Sequence, residues 1–250
     1  MARTYWRKII TAGPLREEII YPAASGFDRP KTRAAKKKLS SQAQAALNQK
    51  TSWRKLERIL AANFRPGDLV VCLTYDGEHL PESRKAAIAR LKYFRQKYTA
   101  ACRAEGLPEP VIVMSTEHVH GVGRWHHHLV ITASNGEDYK RVLSSWGRGE
   151  VEIKPLRLDK EKNYTTLAKY MAKEEREKPG LRSWSYTRNA KQPETDVCRV
   201  EPDERIVTPP GYRILESADG RNEFGFYCYV KAILDGSPRH RVRARKRRGS

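Results

Sequence analysis

Two apolar runs on either side of a glycine-containing turn, VIVMSTEHV (111–119) and WHHHLVIT (125–132), constrain this chain more than any other feature. Each is short and rich in β-branched or aromatic residues, and Gly121 and Gly123 let the chain reverse between them, so they read as an antiparallel hairpin. Around this hairpin the periodicity alternates. LVVCLTY (69–75) follows a Pro66-Gly67-Asp68 turn and reads as a buried strand. Residues 83–103, with Ser83 as N-cap and Ala86, Ile88, Leu91, Phe94, Tyr98 and Cys102 near helical spacing, read as a long helix ending near Gly106. Residues 136–146 read as helical and 149–156 as a further strand. NYTTLAKYMAKEEREK (163–178) reads as a helix that stops before Pro179-Gly180.

The order β-α-β-β-α-β-α suits an α+β fold, an antiparallel ferredoxin-like sheet of split-βαβ type with helices packed on it. The core is expected over 51–180, opening with an amphipathic helix at WRKLERILAANF (53–64). Residues 1–50 are polar and basic and read as an arm plus an exposed helix. Residues 181–236 read as a C-terminal strand extension, with GYRILES (211–217) and FGFYCYVKAIL (224–234) as a closing hairpin. Residues 237–250 read as a disordered basic tail.

Charge narrows the partner. Against 29 acidic residues stand 49 lysines and arginines, a formal net charge of +20. Such an excess repels itself in a compact protein unless a polyanion lies against it, and nucleic acid is the first candidate. An acidic membrane surface is the second, but no basic helix with a broad apolar face stands out. There is no run of 18 apolar residues and no signal-like segment at the start, so a cytoplasmic protein without a membrane partner is expected. The four cysteines are widely spaced and match no disulfide framework or zinc pattern. No P-loop sequence occurs, so unwinding of a duplex would fall to a host helicase or another partner.

Five of the seven histidines lie between 118 and 128. Side chains alternate along a strand, which puts His126 and His128 on one face and His127 on the other. Two imidazoles on one face, with Glu117 from the hairpin partner, can converge on a divalent ion and leave positions open for water and phosphate; Mg or Mn suits that mixed set. An HxH pair on a strand is also a common surface or core pair. His118 and His120 read as loop residues. Tyr170 shares a helix face with Lys173, three residues on. With a cation near its oxygen the phenol becomes a usable nucleophile; without the histidines it would read as an ordinary tyrosine of an amphipathic helix. Tyr164 lies about 120° around that helix. Arg124 is placed either for a phosphate or as a solvated turn residue. Arg243, Arg245 and Lys246 in the tail would neutralise phosphates without reading bases.

Leu73-Thr74-Tyr75, then Glu117 with GRWHHHLVI (123–131), then Tyr170-Met171-Ala172-Lys173 resemble, in order, the three motifs of rolling-circle replication initiators of the HUH endonuclease superfamily. More closely, residues 50–235 are similar to phage and plasmid replication-associated proteins of bacteria. The resemblance implies His126, His128 and Glu117 as metal ligands, Tyr170 as nucleophile, a 5′-phosphotyrosine with a free 3′-OH as product, and single-stranded or hairpin origin DNA as substrate. Two positions depart from the pattern. His127 stands where a bulky apolar residue is usual, and Thr166 stands where a second tyrosine would be, which points to a single-tyrosine enzyme. A strand transposase or relaxase-like enzyme, a DNA-binding module without chemistry, and a hydrolase that releases a free 5′-phosphate are the alternative readings.

Overall fold

The computed structural model describes residues 4–23, 42–118, 124–173, 183–202, 204–222 and 225–235. The chain opens with a hairpin of β1 (Tyr5–Ala12) and β2 (Leu15–Pro22), followed by α1 (Gln42–Asn63), β3 (Leu69–Thr74) and α2 (Arg84–Ala104). Next come β4 (Ile112–His118), β5 (Trp125–Ile131), α3 (Asp138–Trp146), β6 (Val151–Pro155) and α4 (Thr165–Met171). The described chain ends with β7 (Trp184–Tyr186), β8 (Glu194–Val200), β9 (Tyr212–Asn222) and β10 (Gly225–Leu234).

One sheet has the order β6-β3-β5-β4-β7, antiparallel at every junction. Each of its two βα units, β3-α2-β4 and β5-α3-β6, is split by a strand of the other, which is the expected ferredoxin-like arrangement. Both faces are covered because both sets of alternating residues are apolar away from the histidines. Val71, Leu73, Leu129, Ile131, Ile112 and Met114 pack under α2 and α3. Val113 and Val130 face the other way, against Leu56, Ile59 and Leu60 of α1 and Ala168 and Met171 of α4. Ser83 caps α2, its Oγ accepting from the Ala86 N–H at 3.2 Å.

The expected N-terminal arm is corrected by the second sheet, whose order is β8-β1-β2-β10-β9. Residues 5–22 form its hairpin, and only the helical part of the expectation survives, with residues 45–50 of α1 exposed. The charged residues that suggested an arm are neutralised in place: Glu17 is 1% exposed, with Arg58 Nε and Nη2 each 2.7 Å from its carboxylate oxygens. The expected boundaries near 50 and 180 also do not follow the sheets. β7 joins the edge of the first sheet, whereas β8 crosses to the second, and the anticipated closing hairpin, β9 and β10, pairs with β2. Residues 237–250, including Arg243, Arg245 and Lys246, lie outside the described residues.

Candidate active site

Strand register builds the site. Across β4, β5 and β3, Glu117, His126 and Thr74 form one lateral row, and Ser115, His128 and Cys72 form the next. These rows lie on the face shared by α1 and α4, beyond the point where the apolar residues Val113, Val130 and Val70 end. The β3 end of the row is held by Gly149, with φ +138°, where a Cβ would stand 2.3 Å from the Thr74 carbonyl oxygen.

Glu117 is the hub. His128 Nε2 lies 2.9 Å from Glu117 Oε2, and Lys173 Nζ lies 2.8 Å from Oε1. Burial pushes the Glu117 carboxyl up, but the hydrogen bonds from Lys173 and His128 outweigh it and hold the pKa below the ordinary glutamate value. The Tyr170 hydroxyl lies 3.2 Å from the same His128 Nε2, and Lys173 Nζ sits 4.2 Å from the Tyr170 ring centroid. Tyr170 is 42% exposed, open to a large substrate. Partial burial first, and then the Glu117 charge, raise the phenol pKa against the opposing effect of Lys173. The lysine alone therefore does not make a phenolate, because most of its charge is committed to Glu117.

His126 stands across from Glu117, with its Nδ1 3.1 Å from Thr74 Oγ1. Burial lowers its pKa and nearby positive groups at His128 and Arg124 lower it further, so it is neutral and keeps a lone pair at neutral pH. A neutral imidazole, a second imidazole and an ionised carboxylate are donor types that suit a divalent cation. Among the described residues, however, no three His, Cys, Asp or Glu side chains are already drawn together as a metal-holding group. Arg124 is exposed at the start of β5 and donates to the Tyr75 carbonyl at 3.3 Å.

His127 points into the opposite core, fully buried, with Tyr75 OH 2.8 Å from Nε2 and Thr116 Oγ1 2.9 Å from Nδ1. Those two partners explain a histidine where an apolar residue is usual. Burial drives its pKa from 6.5 down to about 3. Between those values the unfolded chain binds a proton that the folded chain refuses. Stability is then fully present above the upper value and falls as pH drops towards the lower. From roughly pH 7 to 4.5 this residue alone should cost about 2–3 kcal/mol. Urea melts of wild type and His127→Phe at both pH values check this. The variant should start less stable, because two buried hydroxyls lose their partner, yet show a smaller acid loss; equal acid losses in the two proteins would contradict the assignment.

Tyr164 is no second nucleophile in this arrangement. It is 3% exposed, its hydroxyl donates to the Phe64 carbonyl at 3.2 Å, and burial raises its pKa to about 12. Thr74 and Ser115 escaped the sequence reading as site neighbours; strand pairing of LVVCLTY and VIVMSTEHV with the histidine strand was the signal that held them. His118 stacks on Trp125 with ring centroids 4.2 Å apart, and His120 lies outside the described residues.

Residues 68–175, which contain the whole constellation, match the family model of the ORF2-type replication-associated protein. The match supports a role in replication initiation. Neither the comparison with curated proteins nor that with solved structures returns a match. No helix among the described residues is long and apolar enough to cross a membrane.

Proposed function

We propose that the protein nicks and rejoins one DNA strand through Tyr170, as a single-tyrosine HUH endonuclease that initiates rolling-circle replication. The observation that carries this reading is the contact set Tyr170–His128–Glu117–Lys173, in which an exposed phenol is joined to the residues best suited to hold a cation. In the reaction the phenolic oxygen bonds to phosphorus and loses its proton. The bond from phosphorus to the 3′ oxygen breaks, and that oxygen takes up a proton to become a free 3′-OH. One phosphoester replaces another, so a later attack by a 3′-OH can rejoin the strand.

His126, His128 and Glu117 would hold Mg or Mn, which when bound supplies positive charge that polarises the phosphate and favours the phenolate. Thr74 orients His126 from the neighbouring strand. Lys173, beside both the phenol and Glu117, stabilises the negative charge that gathers on the phosphorus oxygens. Arg124 and the tail residues Arg243, Arg245 and Lys246 would add phosphate contacts whose strength falls with salt. Strand opening at the origin would come from a host helicase, and the setting would be the cytoplasm.

The deciding experiment is incubation with single-stranded DNA and Mn²⁺, followed by a denaturing gel. A protein band shifted by attached DNA is expected. Cleavage with a free 5′-phosphate and no adduct would instead establish a hydrolase, and binding without cleavage a DNA-binding module. Lys173→Gln should slow adduct formation by roughly 10²-fold while changing DNA affinity little. An unchanged rate would remove Lys173 from the chemistry.

A further inference from the structure

We propose that the cavity between α1 and β7 is a base pocket, which receives one unstacked nucleobase of the single strand whose phosphate lies at Tyr170; this rests on the nicking reading above. Strand register places the cavity. Ser115 pairs with His128 on one side and with Trp184 on the other. Directly opposed residues of neighbouring strands share a sheet face, so His128, Ser115 and Trp184 form one row on the face that carries the site. Two strand spacings put Trp184 about 10 Å from His128, a distance that a short stretch of extended strand spans.

The cavity measures about 440 Å³, within the range of small-ligand sites. One wall is a face of α1 that presents Asn48, Thr51, Ser52 and Lys55 at helical spacing. The other wall is Trp184 and Tyr186, whose rings stack with centroids 5.9 Å apart and planes 27° from parallel. Trp184 Nε1 donates to Ser52 Oγ at 3.0 Å and ties the walls together. The same helix reaches the nucleophile segment, since Gln49 Nε2 contacts the Lys173 carbonyl at 3.5 Å.

These groups fit a base better than any other small ligand on a protein of this charge. Aromatic rings take any base on its π face, while an amide and hydroxyls offer both donors and acceptors to a base edge. Among the described residues no carboxylate lines the cavity, and Lys55 is exposed on its rim, so the attached phosphates are attracted. Between His128 and Trp184, the buried Ser115 hydroxyl has no hydrogen-bond partner among the described residues. That is an unmet polar group on the line from the cut to the pocket.

The test needs no cleavage. A single strand is selected from a random pool of short oligonucleotides by the full-length protein in the presence of a chelator. Its bases are then removed one at a time as abasic sites, and binding is followed by fluorescence anisotropy. One position should weaken binding by roughly 5- to 150-fold, the range for loss of a base–aromatic stack. Tyr186→Ala should bind the intact strand with a comparable loss and be indifferent to the abasic site at that position. Asn48→Ala, on an exposed helix face, should keep the fold and relax the base preference there. A flat abasic profile in wild type, or full sensitivity at that position in both variants, would overturn the pocket. Adduct formation is assayed separately with Mn²⁺. A flat profile beside a normal adduct rejects the pocket alone, and a coupled profile without adduct rejects the nicking chemistry alone.

Discussion

Tyr170→Phe is expected to abolish the covalent protein–DNA adduct while leaving the fold and single-strand affinity near wild type. The substitution deletes only the oxygen that would attack phosphorus. The ring that meets His128 edge-on at 4.9 Å and carries Lys173 above it remains. Loss of one hydroxyl on a 42% exposed side chain should move stability by no more than about 0.5 kcal/mol. Tyr164→Phe gives the opposite pattern. Its hydroxyl caps the Phe64 carbonyl in the core, so the variant should lose about 1 kcal/mol and keep its adduct. A denaturing gel with Mn²⁺, run beside thermal melts and binding titrations, reads both. An adduct that persists in Tyr170→Phe and disappears in Tyr164→Phe would reverse the assignment.

The second large effect concerns the joint between the two sheets. Glu57 of α1 has no exposed side-chain surface, and Lys231 Nζ from β10 lies 2.7 Å from both of its carboxylate oxygens. Asn163 Nδ2, at 2.8 Å, and the Thr165 hydroxyl complete the shell from the start of α4. Lys231→Met would leave that carboxylate buried without its counter-charge, a loss of about 3–5 kcal/mol. For a chain of this size, the melting temperature should fall by roughly 10 °C or more. Because the same network anchors the helix that presents Tyr170, adduct formation should also slow at temperatures where the variant remains folded. Replacing both partners with leucine should recover much of the stability, since no lone charge is then buried. If Lys231→Met melts like wild type, the pair is not buried as described.

Much of the nuclease sheet was legible because its signals are local. Period-two alternation in WHHHLVI separates His126 and His128 from His127 whatever the rest of the chain does. The helix repeat puts Tyr170 and Lys173 on one face in the same way. Ser83 and the residues before Gly106 bounded α2 correctly, because capping chemistry is carried by the residues themselves.

The N-terminal strands show where local reading stops. YWRKIITA and LREEIIYP look like a basic arm because their charges are visible and the groups that neutralise them are not. Arg58 answers Glu17, and Arg7 and Arg16 answer Glu18, only after strands from both ends of the chain have met.

The sequence by itself determined which side chains could share a face: two histidines with a carboxylate beside them, a tyrosine with a lysine, and a third histidine turned to the opposite side. Only the tertiary structure decided which of these touch. It set Lys173 on Glu117, making the hub an ion pair rather than a free ligand, and brought Trp184 into the row of His128. The physical reason is that alternation and helical repeat act between neighbours in the chain. Strand partners and buried charge pairs are instead chosen by which distant surfaces can desolvate together, and no short window of sequence contains both halves of that choice.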